Sequence, residues 1–307
     1  MASPQLARVN EHLRGVARRM AAAGGDLAKS REWMIEYAQV DPSTQEVVAE
    51  VRRIDLAGVA CEWLLAKGAD PDRRLLYIHG GGWTSGNLDS HRPLSARISR
   101  AAGAAVLAVH YRLAPEHPFP AGLDDCVHAY RWLRANGPNG PAPARAVFVA
   151  GDSAGGNLTF AMLLACKERG LPLPNGAIPL SAATDFSASG ESFRTRAAAD
   201  PILAAAAAGI PAIGAAYTQG RADPLSPLCS PLNGDLRGLP PLLIQVGDAE
   251  VLLDDSTRIA AKAKAAGVDV TLRIYPEMPH VWQLFAPFLP EATAAIDEIG
   301  AFVRKHG

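Results

Sequence analysis

Five stretches of this chain are apolar without alternation: Leu75-Leu76-Tyr77-Ile78, and residues 104–110, 146–150, 176–180 and 242–246. A strand with one face in water alternates apolar and polar side chains, whereas a strand covered on both faces does not. Helical patterns lie between these runs, at 92–102, 123–135, 155–169 and 255–266. Strands buried on both faces and alternating with helices predict an open α/β fold, a mostly parallel sheet flanked by helices. Residues 47–56, 60–65 and 268–274 are further strand candidates.

The composition permits this fold and excludes several others. The 307 residues are 49% apolar and 20% charged, enough for one large core. Lys and Arg number 30 against 31 Asp and Glu, a net charge of −1. Non-specific nucleic-acid binding needs a basic patch, and no Lys/Arg cluster exists. High apolar content at near-zero net charge argues against disorder. The longest apolar stretch, 202–210, has nine residues and is closed by Pro211; a membrane helix needs about 20. The start of the chain has no secretory apolar region. Cys61, Cys126, Cys166 and Cys229 are far apart in sequence, so four reduced, mostly buried thiols are expected, and with them a cytoplasmic location.

Two segments break the rhythm. Leu6, Val9, Leu13, Val16 and Met20 step by three and four, one face of an amphipathic helix. Gly24-Gly25 ends it, and a second helix is predicted over 27–40, before Asp41-Pro42. Residues 181–239 form the second exception, with Ala204 to Ala208 in a row and a Pro-rich end. A structureless loop of that length is implausible, so inserted helices above the sheet are predicted.

Gly151-Asp152-Ser153-Ala154-Gly155 follows a predicted strand and opens a predicted helix. G-x-S-x-G in that setting is a nucleophile elbow: a sharp turn that exposes Ser153 and leaves no room for side chains at the flanking glycines. The helix N-terminus beneath favours developing negative charge. His79-Gly80-Gly81-Gly82-Trp83 follows the strand ending at Ile78. Consecutive glycines leave N–H groups unshielded. Two of them with the N–H of Ala154 would make an oxyanion hole. A dinucleotide loop fits poorly, because Ser85 stands where the third Gly of G-x-G-x-x-G belongs.

These motifs, with Tyr111-Arg112-Leu113-Ala114-Pro115-Glu116, Gly156-Asn157 and His280, resemble those of the bacterial hormone-sensitive-lipase-like esterases (family IV) of the α/β-hydrolase superfamily. The similarity runs in order over about residues 45 to 305. It implies an eight-stranded, mostly parallel sheet with a helical cap. It also implies hydrolysis of small carboxylic esters through an acyl-enzyme, with no cofactor. The oxyanion donors fall at Gly81, Gly82 and Ala154. His79, Arg112 and Glu116 take structural roles. On this basis residues 1–42 are a cap segment, 43–307 the catalytic domain, and 181–239 helices that complete the cap. The face from Leu6 to Met20 is expected to cover the acyl pocket. The family often forms a homodimer through the last strand, here 268–274.

The triad order on this fold is Ser, acid, His, and only His280 and His306 follow Ser153. His306 is penultimate, where chains fray. His280 follows the last strand by a short loop, where the family keeps its base. His12, His91, His110, His117 and His128 show no metal-ligand spacing, so no metal is expected. For the acid the family has Asp in G-x-x-D-x-L-x-D. Here Gly247, Leu252 and Asp254 align and put Glu250 in the acid position, with Asp248 the alternative. Asp254 or Asp255 is expected to cap the following helix. The same machinery would serve a lactone or amide hydrolase. Non-catalytic small-molecule receptors of this branch lack the catalytic His that is present here. The physiological ester and the acyl-length preference are not encoded in any motif.

Overall fold

The computed structural model describes residues 2–22, 24–204 and 209–307, so most of the alanine run, 205–208, lies outside the described residues. The main sheet has eight strands: β1 (Glu50–Leu56), β2 (Val59–Leu65), β3 (Asp70–Ile78), β4 (Ala104–Val109), β5 (Ala146–Asp152), β6 (Gly176–Leu180), β7 (Leu242–Gly247) and β8 (Val270–Tyr275). Their order is β1-β2-β4-β3-β5-β6-β7-β8. Only the β1–β2 and β2–β4 pairs are antiparallel. The remaining pairs are parallel, as uninterrupted apolar runs demand.

The helices are α1 (Gln5–Ala22), α2 (Leu27–Glu36), α3 (Leu88–Ala102), α4 (Ala121–Ala135), α5 (Ala154–Glu168), α6 (Ser192–Thr195), α7 (Ile210–Thr218), α8 (Leu253–Ala265) and α9 (Pro290–His306). Two apolar clusters cover the two faces of the sheet. One takes side chains of α4, α5 and α8, such as Leu123, Leu158 and Ile259. The other takes those of α3 and α9, such as Ile98, Ile296 and Val303. Every β3–β5 position from Leu75 to Ala150 is therefore dry on both sides, and each strand ends at the same edge. That edge collects the loops that follow β3, β5, β7 and β8. None of the helices among the described residues is long and apolar enough to cross a membrane.

Several expectations are corrected. The N-terminal stripe is buried at Leu6, Val9, Leu13 and Val16, but Met20 is 43% exposed and does not belong to it. The buried part packs in one cluster with Tyr37, Trp282 and Phe285. The second helix stops at Glu36, not at residue 40. His12 of α1 explains the early stop: its Nε2 bonds the carbonyls of Glu36 and Tyr37 at 3.2 and 3.1 Å. His306 does not fray, since α9 runs through it and its ring packs on Phe302 at 4.7 Å. The insertion 181–239 carries α6 and α7 among its described residues. All four cysteines are free and buried.

Candidate active site

Strand β5 ends at Asp152 and helix α5 begins at Ala154, so one residue makes the whole turn. That residue, Ser153, sits at φ +53°, ψ −117°. A non-glycine residue there is strained and is held by its surroundings. Its N–H donates to the Leu180 carbonyl at 2.8 Å. A Cβ on Gly151 would stand 2.7 Å from the Ile78 carbonyl oxygen, and one on Gly155 2.6 Å from that of His79. Both glycines are thus fixed by backbone crowding, which lets the turn close against β3.

The glycine loop after β3 is fastened to this turn by Asp152. The Asp152 carboxylate accepts the Gly80 N–H at 3.1 Å and the Tyr77 hydroxyl at 2.7 Å, and faces His91 Nε2 at 3.3 Å. Burial alone would raise this carboxyl, but His91 and Tyr77 outweigh burial and hold it below its ordinary range. Gly81 has φ +120°, and its carbonyl accepts from Ser85 N–H at 2.9 Å and Ser85 Oγ at 2.7 Å, which folds the loop back. The N–H groups of Gly81, Gly82 and Ala154 find no protein acceptor among the described residues. His79 has its Nδ1 2.8 Å from the Gly80 carbonyl and stacks on Tyr111 at 4.4 Å. Burial pulls its pKa down to about 3, so it stays neutral as part of the loop's packing.

The loop after β8 brings His280 to Ser153. His280 Nε2 is 2.9 Å from Ser153 Oγ, and its Nδ1 is 2.7 Å from Glu250 Oε2. Glu250 is fully buried. Its other oxygen accepts the Gly247 N–H at 2.6 Å and the Ser181 hydroxyl at 2.8 Å. Burial disfavours a charged His280, but the Glu250 carboxylate outweighs it and the ring's pKa is raised above its ordinary value. Asp248 turns elsewhere: its Oδ1 accepts the Glu277 N–H at 2.6 Å at the start of the base loop.

The expected cap of α8 by Asp254 or Asp255 does not form, because that helix has no side-chain cap bond. Backbone donors of the insertion claim both carboxylates instead. Asp254 accepts the Ser192 N–H at 2.9 Å, and Asp255 those of Thr184 and Asp185 at 2.5 and 3.0 Å. Burial pushes Asp255 up to about 7. Arg112 and Glu116 form no shared network. Arg112 clasps Asp125, whereas Glu116 receives a two-armed contact from Arg31 of α2 at 2.9 and 2.8 Å.

Four residues that no motif marks support the site. Ser181 holds the acid. Asp200 of the insertion accepts the Val251 N–H at 3.0 Å, next to Glu250. Arg31 also donates to the Thr84 carbonyl of the glycine loop at 2.9 Å. Tyr37 donates to the His280 carbonyl at 2.6 Å. A donor to a distant carbonyl leaves no trace in a sequence, because its acceptor has no side-chain identity.

Comparison with known proteins accords with this geometry. The profile described as alpha/beta hydrolase fold matches residues 75–284. An acetyl-hydrolase of Streptomyces hygroscopicus is 46% identical over 243 residues, 79% of each chain. An esterase of Acinetobacter venetianus is 36% identical over 260 residues, 84% of this chain and 83% of its own. A crystal structure of an esterase from the bacterial hormone-sensitive lipase family superposes with a TM-score of 0.90 at 44% identity, over 100% of this chain and 99% of that one.

Proposed function

The chain belongs to the bacterial hormone-sensitive-lipase-like esterases of the α/β-hydrolase superfamily and is a carboxylesterase; from that premise we propose that it cleaves small, short-acyl esters with Ser153 as nucleophile, His280 as base and Glu250 as acid. The observation that carries the proposal is the unbroken hydrogen-bonded line from Ser153 Oγ through the His280 ring to Glu250. Glu250 fixes the tautomer with the proton on Nδ1, which leaves Nε2 as the acceptor facing the serine. As Ser153 Oγ attacks the ester carbon, His280 takes its proton. The carbonyl oxygen becomes an oxyanion between the N–H groups of Gly81, Gly82 and Ala154. Collapse expels the alcohol, which leaves with the proton from His280, and the acyl group stays on Ser153. Water then attacks the acyl-enzyme by the same route and releases the acid.

The short-acyl preference is supported by the 46% identity to a protein named acetyl-hydrolase. In this proposal residues 1–42 and 181–239 act as the cap over a body formed by the rest of 43–307. The contacts of Arg31, Tyr37 and Asp200 with the catalytic loops support that division. Strand β8 pairs only with β7 among the described residues and leaves Ile274 45% exposed. An unpaired, partly apolar edge suits a homodimer formed through this last strand. Four free buried thiols suit a cytoplasmic setting. A panel of p-nitrophenyl esters from acetate to palmitate, with Ser153→Ala as blank, tests the substrate class. The highest kcat/KM is expected at two to four acyl carbons, and a maximum at the longest chains would overturn it.

A further inference from the structure

The peptide that joins His280 to Val281 is held from both faces by residues outside the triad. Its carbonyl accepts the Tyr37 hydroxyl at 2.6 Å. Its N–H donates to Ser181 Oγ at 3.3 Å. The same Ser181 hydroxyl donates to Glu250 Oε1 at 2.8 Å, so the acid and the backbone of the base share one anchor. The peptide needs holding: Val281 lies at φ +50°, ψ +46°, a left-handed conformation that a β-branched side chain rarely adopts. A peptide free to rotate would leave that region and carry the His280 ring with it.

Tyr37 comes from the opposite end of the chain, 243 residues from its acceptor. It follows α2 directly and is 6% exposed, with its ring on Phe285 at 5.8 Å. Its own backbone is pinned by His12, whose Nε2 lies 3.1 Å from the Tyr37 carbonyl. Burial keeps the phenol protonated far above neutral pH, so the hydroxyl remains a donor wherever an esterase is assayed.

We propose that Tyr37 is a positioning residue for the base: the N-terminal segment sets the His280–Val281 peptide through the Tyr37 hydroxyl, and so aims the imidazole at Ser153. The inference rests on the triad reading above. The first forty residues are then part of the catalytic apparatus as well as a cover for it. Substrate binding does not involve this hydroxyl, so its loss falls on the chemical step.

Tyr37→Phe tests this, because it keeps the ring and its stacking and removes only the donor. Initial rates on p-nitrophenyl acetate give kcat and KM, and phosphonate titration corrects kcat for the number of competent sites. A thermal melt confirms that each variant is folded at the assay temperature. We expect kcat to fall about tenfold or more while KM stays within about twofold, since small misplacements of a catalytic group cost up to about 10²-fold. Ser181→Ala frees the same peptide from its other face and is expected to show the same split; it decides the matter if Tyr37→Phe does not fold. The double variant should lose less than the product of the two single losses, because both act on one peptide. Wild-type kcat in Tyr37→Phe, a loss confined to KM, or a strictly multiplicative double variant would overturn the inference. Ser153→Ala is run alongside. Activity surviving there removes the triad reading itself, whereas a dead Ser153→Ala beside an unimpaired Tyr37→Phe removes only the role of Tyr37.

Discussion

Glu250→Gln changes two atoms' chemistry without changing shape, and the surroundings dictate where the new amide must point. One carboxylate oxygen receives two donors, the Gly247 N–H at 2.6 Å and the Ser181 hydroxyl at 2.8 Å. A buried amide group turned towards the Gly247 N–H would leave two donors facing each other, so the glutamine oxygen must take that side. Its NH₂ then faces His280 Nδ1. The imidazole can accept this contact only with its proton on Nε2, the atom that must be free to take the proton of Ser153. The substitution therefore traps the base in the wrong tautomer and also removes the charge that stabilises imidazolium. By analogy with known triads the loss in kcat is about 10⁴-fold, or about 5.4 kcal/mol at about 1.36 kcal/mol per decade. Asp248→Asn alters only the acceptor of the Glu277 N–H, an oxygen the amide retains, and a loss below about threefold is expected. Both are read from initial rates on p-nitrophenyl acetate, with circular dichroism to confirm the fold. A Glu250→Gln enzyme within about tenfold of wild type, or a larger loss in Asp248→Asn, would refute the assignment of the acid.

Three further expectations follow from the same geometry. The acid limb of the kcat/KM–pH profile should lie above about 6.5, the ordinary His value, because His280 is raised and works neutral, so activity is lost as pH falls through the raised pKa; a limb well below 6 would place the base elsewhere, and His79, neutral down to about 3, cannot supply this limb. Gly155→Ala puts a methyl 2.6 Å from the His79 carbonyl oxygen, and overpacking against backbone should cost about 3 kcal/mol in urea unfolding, whereas an unchanged midpoint would mean that the elbow is looser than it looks. Arg31→Ala removes a half-exposed pair with Glu116 and the bond to Thr84; about 1 kcal/mol of stability should go, together with a measurable fall in kcat, and an unaltered protein would show that α2 is not coupled to the glycine loop.

Much of this fold was open to inspection in the primary structure, because dry strands cannot hide. Residues 176–180 carry no charge, and the strand has those bounds. Strand β3 begins earlier than its apolar run, at Asp70, because Arg74 is buried with its guanidinium on the carbonyls of Pro71, Leu133 and Ala142. Such a satisfied charge mimics a loop in any hydropathy pattern. Helix α9 escaped notice although Ala292, Ala295, Ile296, Ile299, Phe302 and Val303 mark its buried face; its alanines and glycine dilute the stripe. At the site, residues with their own chemistry were readable, and residues that act through backbone were not. Ser153 and His280 announce themselves. Ser181 and Tyr37 do not, since their partners are an N–H and a carbonyl supplied by the folded chain. The acid lay between these cases: Glu250 needed its neighbours Gly247 and Leu252 to be singled out from Asp248.

Covalent capture is the direct test of Ser153 as the acyl-carrying nucleophile. The protein is incubated with a fluorophosphonate, and intact-mass and peptide mass spectrometry are run on wild type and Ser153→Ala. One adduct per chain on the peptide containing Ser153, gained in step with the loss of esterase activity and absent from Ser153→Ala, is the expected result. An adduct that persists in Ser153→Ala, or full labelling of Ser153 with activity retained, would contradict it.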